Sequence, residues 1–271
     1  MSLTTCPIFG IVARVKIVSW NVNSIRARLE RVLPWLEANR PDVACLQELK
    51  VEEDKLPREE LSSIGYHVAA VCQKTYNGVA ILTREAPATD VLAGLDDGEE
   101  DTQARLIAAT VRGVRVLSAY VPNGQEVGSD KYAYKLRWLE RLRGYLDRRC
   151  DPAQPLILCG DFNVAPEPRD VYAPENWEGQ TLFHIDSRRA LARVVAWGLV
   201  DTVRLHHDEP GLYSWWDYRM LGFPKNRGLR IDHIFATRGL AERCTGAWID
   251  REARKGKAPS DHAPVLAEFS V

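Results

Sequence analysis

Apolar residues along this chain recur with two periods, and the two periods alternate. Short buried runs read as strands at RVKIVSW (14–20), DVACLQE (42–48), HVAAVCQ (67–73), GVAILTR (78–84) and PLILCGDF (155–162). ARLIAATV and VRVLSAYV meet at Arg112–Gly113 and predict a hairpin. Helical patterns lie between them. Ser24 is placed to cap a helix whose apolar face includes Ile25, Leu29, Val32, Leu33 and Leu36, and Pro34 inside that pattern predicts a kink or a restart. The clearest helix spans Ser129 to Arg149, with Ser129 or Asp130 as cap and Leu136, Leu139, Leu142 and Leu146 at helical spacing. A shorter helix is expected at 186–197, and strand-and-turn signals dominate from 212 onward. Strands interleaved with helices imply a layered α/β architecture. Proline and glycine are spread evenly, with no Gly/Ser linker or residue-level repeat, so one domain is expected.

Several of these strands end in polar residues that an apolar core would exclude. The first runs into Asn21 and Asn23, the second into Gln47 and Glu48, and the hairpin into Tyr120 and Asn123. GDFN supplies Asp161 and Asn163, LRIDHIF sets Asp232 inside an apolar run, and PSDHAPV sets Asp261 and His262 before the closing strand. Taken singly, the asparagines suit turns, Glu48 a surface position, and Tyr120 and His262 packed positions. Gathered at one edge of the sheets, the six clusters make a single acidic, amide-rich pocket. Such an inventory suits phosphodiester chemistry, which needs a hard cation held by oxygen ligands, a base for water and donors to the phosphoryl oxygens. No Cys/His set for zinc, nucleophile elbow or Gly-rich phosphate loop is present.

Composition changes this picture little. The formal charge of −1, from 36 basic and 37 acidic residues, neither requires nor excludes nucleic acid, because binding responds to the local field. The cysteines, Cys6, Cys45, Cys72, Cys150, Cys159 and Cys244, form no CxxC pair, so free thiols in a reducing compartment are expected. The start lacks a charged n-region and no apolar run approaches the roughly 18 residues of a membrane span, so a soluble, intracellular protein is expected.

KIVSWNVNSIRAR, LQELK, YNGVAIL, SDKYAYKLRWL, CGDFNVAP, WWDYR, NRGLRIDHI and PSDHAPV resemble, in the same order, the exonuclease III family of apurinic/apyrimidinic endonucleases. The resemblance covers residues 15–271 as one catalytic domain and leaves 1–14 as an N-terminal extension. GDFN and SDHAP are shared by the wider endonuclease/exonuclease/phosphatase superfamily, whereas SDKYAYKLRWL and NRGLRIDHI are more specific to its DNA-repair branch. The resemblance implies a four-layer α/β sandwich, two mixed β-sheets packed face to face and flanked by helices. It implies Mg²⁺-dependent hydrolysis 5′ of abasic sites leaving a 3′-hydroxyl, with Mn²⁺ able to substitute. Activity as 3′-phosphodiesterase, 3′-phosphatase and 3′→5′ exonuclease is implied as well. The implied partner is double-stranded DNA with abasic or 3′-blocked lesions, met by a cytoplasmic monomer, nucleoid-associated in a bacterium.

By the same resemblance Glu48 is the principal Mg²⁺ ligand, with Asn21 and Asp261 nearby, and Asp161 and Asn163 face the scissile phosphate and the metal. His262 is oriented by Asp232. Asp161 or His262 takes the proton of the attacking water; a protonated His262 would instead donate to a non-bridging oxygen together with Asn163. Tyr120 stabilises the leaving 3′ oxygen. DNA contacts are expected from Asn23, Arg26, Asn77, Arg105, Asn123, Lys131, Trp215, Trp216, Asn226 and Arg230, with one of the two tryptophans walling a pocket for a flipped-out sugar. Lys135 is among further cations beside the motifs offered to phosphates. Two rivals stand beside this reading: a 3′-end-processing exonuclease with little endonuclease activity, and a small-molecule phosphoesterase of the same superfamily. A non-catalytic scaffold on this fold would have lost at least one of Glu48, Asp161, Asn163, Asp232 and His262, and all five are present.

Overall fold

In the computed structural model, which describes residues 14–270, the chain runs through β1 (Arg14–Asn21), α1 (Leu29–Asn39), β2 (Val43–Gln47), α2 (Arg58–Ser63), β3 (His67–Val71), β4 (Val79–Thr83), β5 (Thr89–Ala93), β6 (Leu106–Val111) and β7 (Val114–Tyr120). It continues through α3 (Asp130–Arg149), β8 (Leu156–Asp161), α4 (Ile185–Val195), β9 (Leu199–Asp201), α5 (Thr202–His206), β10 (Asp232–Thr237), α6 (Arg238–Ala241), β11 (Cys244–Ile249) and β12 (Val265–Ser270). The expected extension, but for Arg14, and Cys6 within it lie outside the described residues. Among the described residues Cys45, Cys72, Cys150, Cys159 and Cys244 are free thiols, and no helix is long and apolar enough to cross a membrane.

Two six-stranded sheets form, ordered β11-β12-β1-β2-β4-β3 and β5-β6-β7-β8-β10-β9. Each is mixed, with one central parallel pair (β1/β2 and β7/β8) and antiparallel neighbours. A helix, α1 or α3, joins each parallel pair, as a crossover requires. The two sheets therefore follow one plan, although the sequence shows no repeat.

Their inner faces pack on each other. Val15, Ile17, Val43, Cys45, Val79 and Ile81 of the first sheet meet Ile107, Val116, Ile157, Cys159, Ile234 and Ala236 of the second. The outer faces carry the alternate residues. Trp20, Leu46 and Leu82 lie under Val32, Trp35 and Leu36 of α1, and Leu117, Leu158 and Phe235 lie under Trp138, Leu142 and Leu146 of α3. Each such buried side chain contributes roughly 1.5–3 kcal/mol. The result is the expected four-layer sandwich.

Side-chain alternation carries the inner parity to the strand ends, where the residue types change. Beyond Ile17 come Ser19 and Asn21; beyond Cys45, Gln47; beyond Val116, Ser118 and Tyr120; beyond Cys159, Asp161. The register pairs Asn21 with Gln47 and sets Tyr120, Asp161 and Asp232 in one row across β7, β8 and β10. One end of the sandwich is therefore polar between the sheets. The amide of Gln47 spans them there, donating to Ser118 Oγ at 3.1 Å and Ser19 Oγ at 3.3 Å.

Two local expectations change. Ser24 does not cap α1; it adopts a left-handed φ of 83° in a turn, and the helix starts after Arg28. Its carbonyl instead accepts from Arg28 N–H at 3.1 Å, which closes that turn ahead of the helix. Pro34 causes no restart: α1 is continuous, and the carbonyl deprived of a donor belongs to Glu30, which is exposed and can bond to water. The hairpin forms as expected, with Arg112 (φ 50°) and Gly113 (φ 79°) making a turn of positive φ that matches strand twist.

Gly160 is the glycine on which the site depends. Its φ is 148°, and a Cβ there would lie 1.8 Å from the carbonyl oxygen of Ala119, its partner on β7. Gly160→Ala should therefore destabilise the protein by about 3 kcal/mol or more, read as a lowered urea midpoint; an unchanged midpoint would contradict this packing.

Candidate active site

At the polar end of the sandwich, the side chain of Asn21 lies between two carboxylates. Its Nδ2 donates to Glu48 Oε1 at 2.7 Å and to Asp161 Oδ2 at 2.9 Å, while its Oδ1 accepts from Asn23 N–H at 3.0 Å. Asn21 thus bridges the carboxylates as a donor. Glu48 also meets Lys50 Nζ at 2.6 Å, and Lys50 reaches Asn23 Oδ1 at 2.7 Å. Asp161 takes Asn163 N–H on its other oxygen at 2.9 Å.

His262 faces this group. Its Nδ1 donates to Asp232 Oδ2 at 2.8 Å, and its Nε2 lies 3.8 Å from Asp161 Oδ2. Asp232 is held from behind by Ser214, whose hydroxyl donates to Oδ2 at 2.6 Å and accepts the main-chain N–H groups of Ile231 and Asp232. Burial disfavours a charged imidazole, but the Asp232 and Asp161 carboxylates outweigh it and lift His262 to about 10. Burial also pushes Asp161 up to about 7; the His262 charge opposes the shift, and Asp232 and Glu48 add to it. Burial, then Glu48 and Asp161, hold the Tyr120 phenol well above its ordinary range, so it keeps its proton.

Asp261 lies to one side. Its oxygens accept from Asn23 Nδ2 at 2.8 Å and Trp215 Nε1 at 3.0 Å. Burial works against its ionised form, but the His262 charge and these two donors keep its carboxyl below the usual range. The atoms of Glu48, Asp161 and His262 that could hold a metal lie within 4.8 Å of one another. Of these three, Glu48 and Asp161 are the oxygen ligands, since Asp232 favours the charged form of His262. Their oxygen chemistry suits a hard dication, which would relieve the crowding of negative charge that raises Asp161.

The backbone is strained here. Glu48 (φ 54°), Lys50 (52°), Asn23 (45°), Asn77 (62°) and Asn163 (50°) are all left-handed without being glycine. Such outliers gather where surrounding structure over-determines them, and asparagine accepts the conformation most readily.

The remaining expected residues divide into two groups. Asn77, Arg105, Asn123 and Lys131 line a groove of about 470 Å³ that begins at Tyr120. Asn123 Nδ2 donates to Asn163 Oδ1 at 3.0 Å, and the Arg105 guanidinium lies 4.8 Å over the Tyr120 ring. Arg26 is exposed, with its guanidinium on Lys55 O. Of the tryptophans, Trp215 borders the site through Asp261, whereas Trp216 is fully buried with its N–H on Asn226 Oδ1. Asn226 spends its Nδ2 on Gly211 O, so both ends of its amide serve the loop rather than a ligand.

Besides Trp216 and Asn226, two further expected DNA contacts are corrected. Arg230 does not face DNA: it is 1% exposed, and its guanidinium donates to Asp170 and Asp201, each at 2.7 Å, and to His233 Nδ1 at 3.0 Å. Lys135 is likewise enclosed and cannot meet a phosphate. Burial draws its ammonium down to about 7, with Asp161 opposing the shift. Sequence reasoning missed Ser214, which orients Asp232, and Trp177, whose ring meets Trp215 edge-on at 6.3 Å. Ser214 carried one faint signal: a small polar residue set inside YSWW.

The family model described as "Endonuclease/Exonuclease/phosphatase family" matches residues 18–262. Exodeoxyribonuclease III of Haemophilus influenzae is 36% identical, over 94% of this chain and 100% of its own length. An exodeoxyribonuclease of Bacillus subtilis is 33% identical, over 93% and 98%. Among solved structures, an AP endonuclease from Archaeoglobus fulgidus superposes with a TM-score of 0.92 at 44% identity, covering 95% of this chain and all of that one. A 3′-5′ exonuclease from Neisseria meningitidis gives 0.91 at 42%, with the same coverage.

Two outcomes follow from the geometry. Arg230→Met leaves Asp201 without its buried cation and Asp170 with Arg204 alone, and should cost about 3–5 kcal/mol in urea unfolding. An unchanged urea midpoint would contradict the buried pairs. For His262, a folded pKa raised above the ordinary value of 6.5 means stability present below that pH and lost as pH rises through about 10. In EDTA, the stability advantage of the native protein over His262→Gln should therefore shrink from pH 6 to pH 10.5; a constant gap would contradict a charged imidazole.

Proposed function

Because the chain belongs to the endonuclease/exonuclease/phosphatase family, we propose that it is a metal-dependent DNA-repair phosphodiesterase that cuts 5′ of abasic sites, leaves a 3′-hydroxyl and clears blocked 3′ ends. The observation that carries this reading is the carboxylate pair of Glu48 and Asp161, bridged by Asn21 and faced by an imidazole that Asp232 keeps charged. The relatives named as exodeoxyribonuclease III, AP endonuclease and 3′-5′ exonuclease support it.

Held by Glu48 and Asp161, Mg²⁺, with Mn²⁺ as substitute, would supply neutralisation of phosphoryl charge and favour departure of the 3′ oxygen. Asp161 is the base. Its oxygens face the pocket, and the cation would keep its carboxylate ionised and able to take a proton from water. His262 is the donor to a non-bridging oxygen, since its Nδ1 bond to Asp232 favours the charged ring, which has no lone pair for the water's proton. Asn163 spends one carboxamide N–H on Val121 O at 2.9 Å and keeps the other for the phosphoryl group. Tyr120, held protonated, donates to the leaving oxygen. Asp261 and Asn23 fix the rim beside Trp215, and the Trp215–Trp177 pair walls the space for a sugar without its base. The groove of Asn77, Arg105, Asn123 and Lys131 takes the adjoining duplex, and Arg26 meets its backbone, with the protein acting as a monomer.

The test is cleavage of a labelled duplex carrying one abasic analogue, in Mg²⁺ and in EDTA, beside a duplex with a 3′-blocked nick. Cutting 5′ of the lesion that EDTA abolishes is expected, and Asp161→Asn or His262→Ala should reduce turnover at least about a hundredfold. Activity on the blocked nick alone would make the protein a 3′-end processor. Silence on both, or near-native turnover in both variants, would overturn the reading.

A further inference from the structure

Lys135 lies on α3, outside the pocket, and its side chain is completely enclosed. Its ammonium donates to three main-chain carbonyls: Asn163 O at 2.7 Å, Asn123 O at 3.1 Å and Thr181 O at 3.1 Å. In its charged form the amine has three protons and accepts nothing, so three carbonyls use its whole capacity and favour that form over the neutral amine that burial promotes. Its partners are carbonyls rather than a carboxylate, which is a costly way to bury a charge. Packing alone would be served better by methionine or leucine.

The three carbonyls belong to three separate segments: the loop after β7, the loop after β8 and the approach to α4. Two of them come from the asparagines whose side chains bond each other beside Asp161. Asn163 is held in its left-handed conformation from both ends, its N–H on Asp161 and its carbonyl on Lys135. Gly124, with φ 90°, lies against the same lysine, where a Cβ would come 3.0 Å from Lys135 Cδ.

We propose that Lys135 is a positioning residue for the phosphoryl site, its buried ammonium locking the Asn123 and Asn163 loops together so that Asn163 meets the scissile phosphate in one fixed orientation. No smaller or uncharged side chain offers three donors along the same reach. The inference rests on the phosphodiesterase reading for its kinetic consequence, and not for its structural one.

The structural arm uses the protein free of metal and DNA. Lys135→Met keeps an apolar stem and removes the donors; amide hydrogen exchange at Asn163, whose N–H is on Asp161, should accelerate at least about tenfold while α3 core amides keep their rates. The kinetic arm uses the abasic duplex: kcat should fall about a hundredfold with KM changed less than about threefold. Lys135→Ala should recover turnover with propylammonium, which replaces the deleted atoms, and not with equal tetramethylammonium. Unchanged exchange at Asn163, a native kcat in Lys135→Met, or failure of propylammonium to restore Lys135→Ala would each overturn the proposal. If the native protein itself cut neither DNA, the phosphodiesterase reading would fall, and the exchange arm would still decide whether Lys135 locks the loops.

Discussion

Four carboxylates share one end of this sandwich, and removing like charges from water sets them against each other. Glu48, Asp161, Asp232 and Asp261 stay together because each has a separate counterpart. Lys50 meets Glu48, Asn21 bridges Glu48 to Asp161, His262 and Ser214 hold Asp232, and Asn23 with Trp215 holds Asp261. What these partners leave unbalanced falls on Asp161, whose carboxyl is pushed up to about 7. A site with that surplus favours a cation over an empty pocket, and the stability it gives up is a common cost of a functional site.

The fold makes the arrangement possible by repeating one plan twice. Each sheet has its parallel pair at the centre, and the inner-facing positions of those strands turn polar over their last residues. Apposed sheets then bring Asn21 and Gln47 against Tyr120, Asp161 and Asp232. Left-handed residues let the chain leave the strands at once, so Glu48 and Asn163 point into the pocket. Behind the site stand two buried cations with opposite strategies. Arg230 is paired with Asp170 and Asp201, whereas Lys135 is satisfied by carbonyls alone.

Much of this was legible in the sequence, for identifiable reasons. The strands of the pocket are apolar and end in Asn, Glu, Tyr or Asp, a contrast that survives without any partner. α3 was legible from Ser129, whose hydroxyl accepts from Tyr132 N–H at 3.2 Å, and from its leucine spacing. β5 was not, because it is exposed along its whole length and has no apolar face to alternate. The fate of Arg230 was hidden because its partners lie 60 and 29 residues away, and a basic residue inside a DNA-repair motif looks the same whether it faces solvent or core. Lys135 was hidden more deeply, since main-chain carbonyls leave no mark in a sequence.

A crowding of carboxylates that exists to hold a hard dication should bind one without DNA. Calorimetric titration of Mg²⁺ into the DNA-free protein tests it most directly, with Glu48→Gln and Asp161→Asn titrated in parallel. Saturable binding by the native protein, lost or weakened at least about tenfold in both variants, is the predicted result. Equal binding in all three, or none in any, would contradict the account.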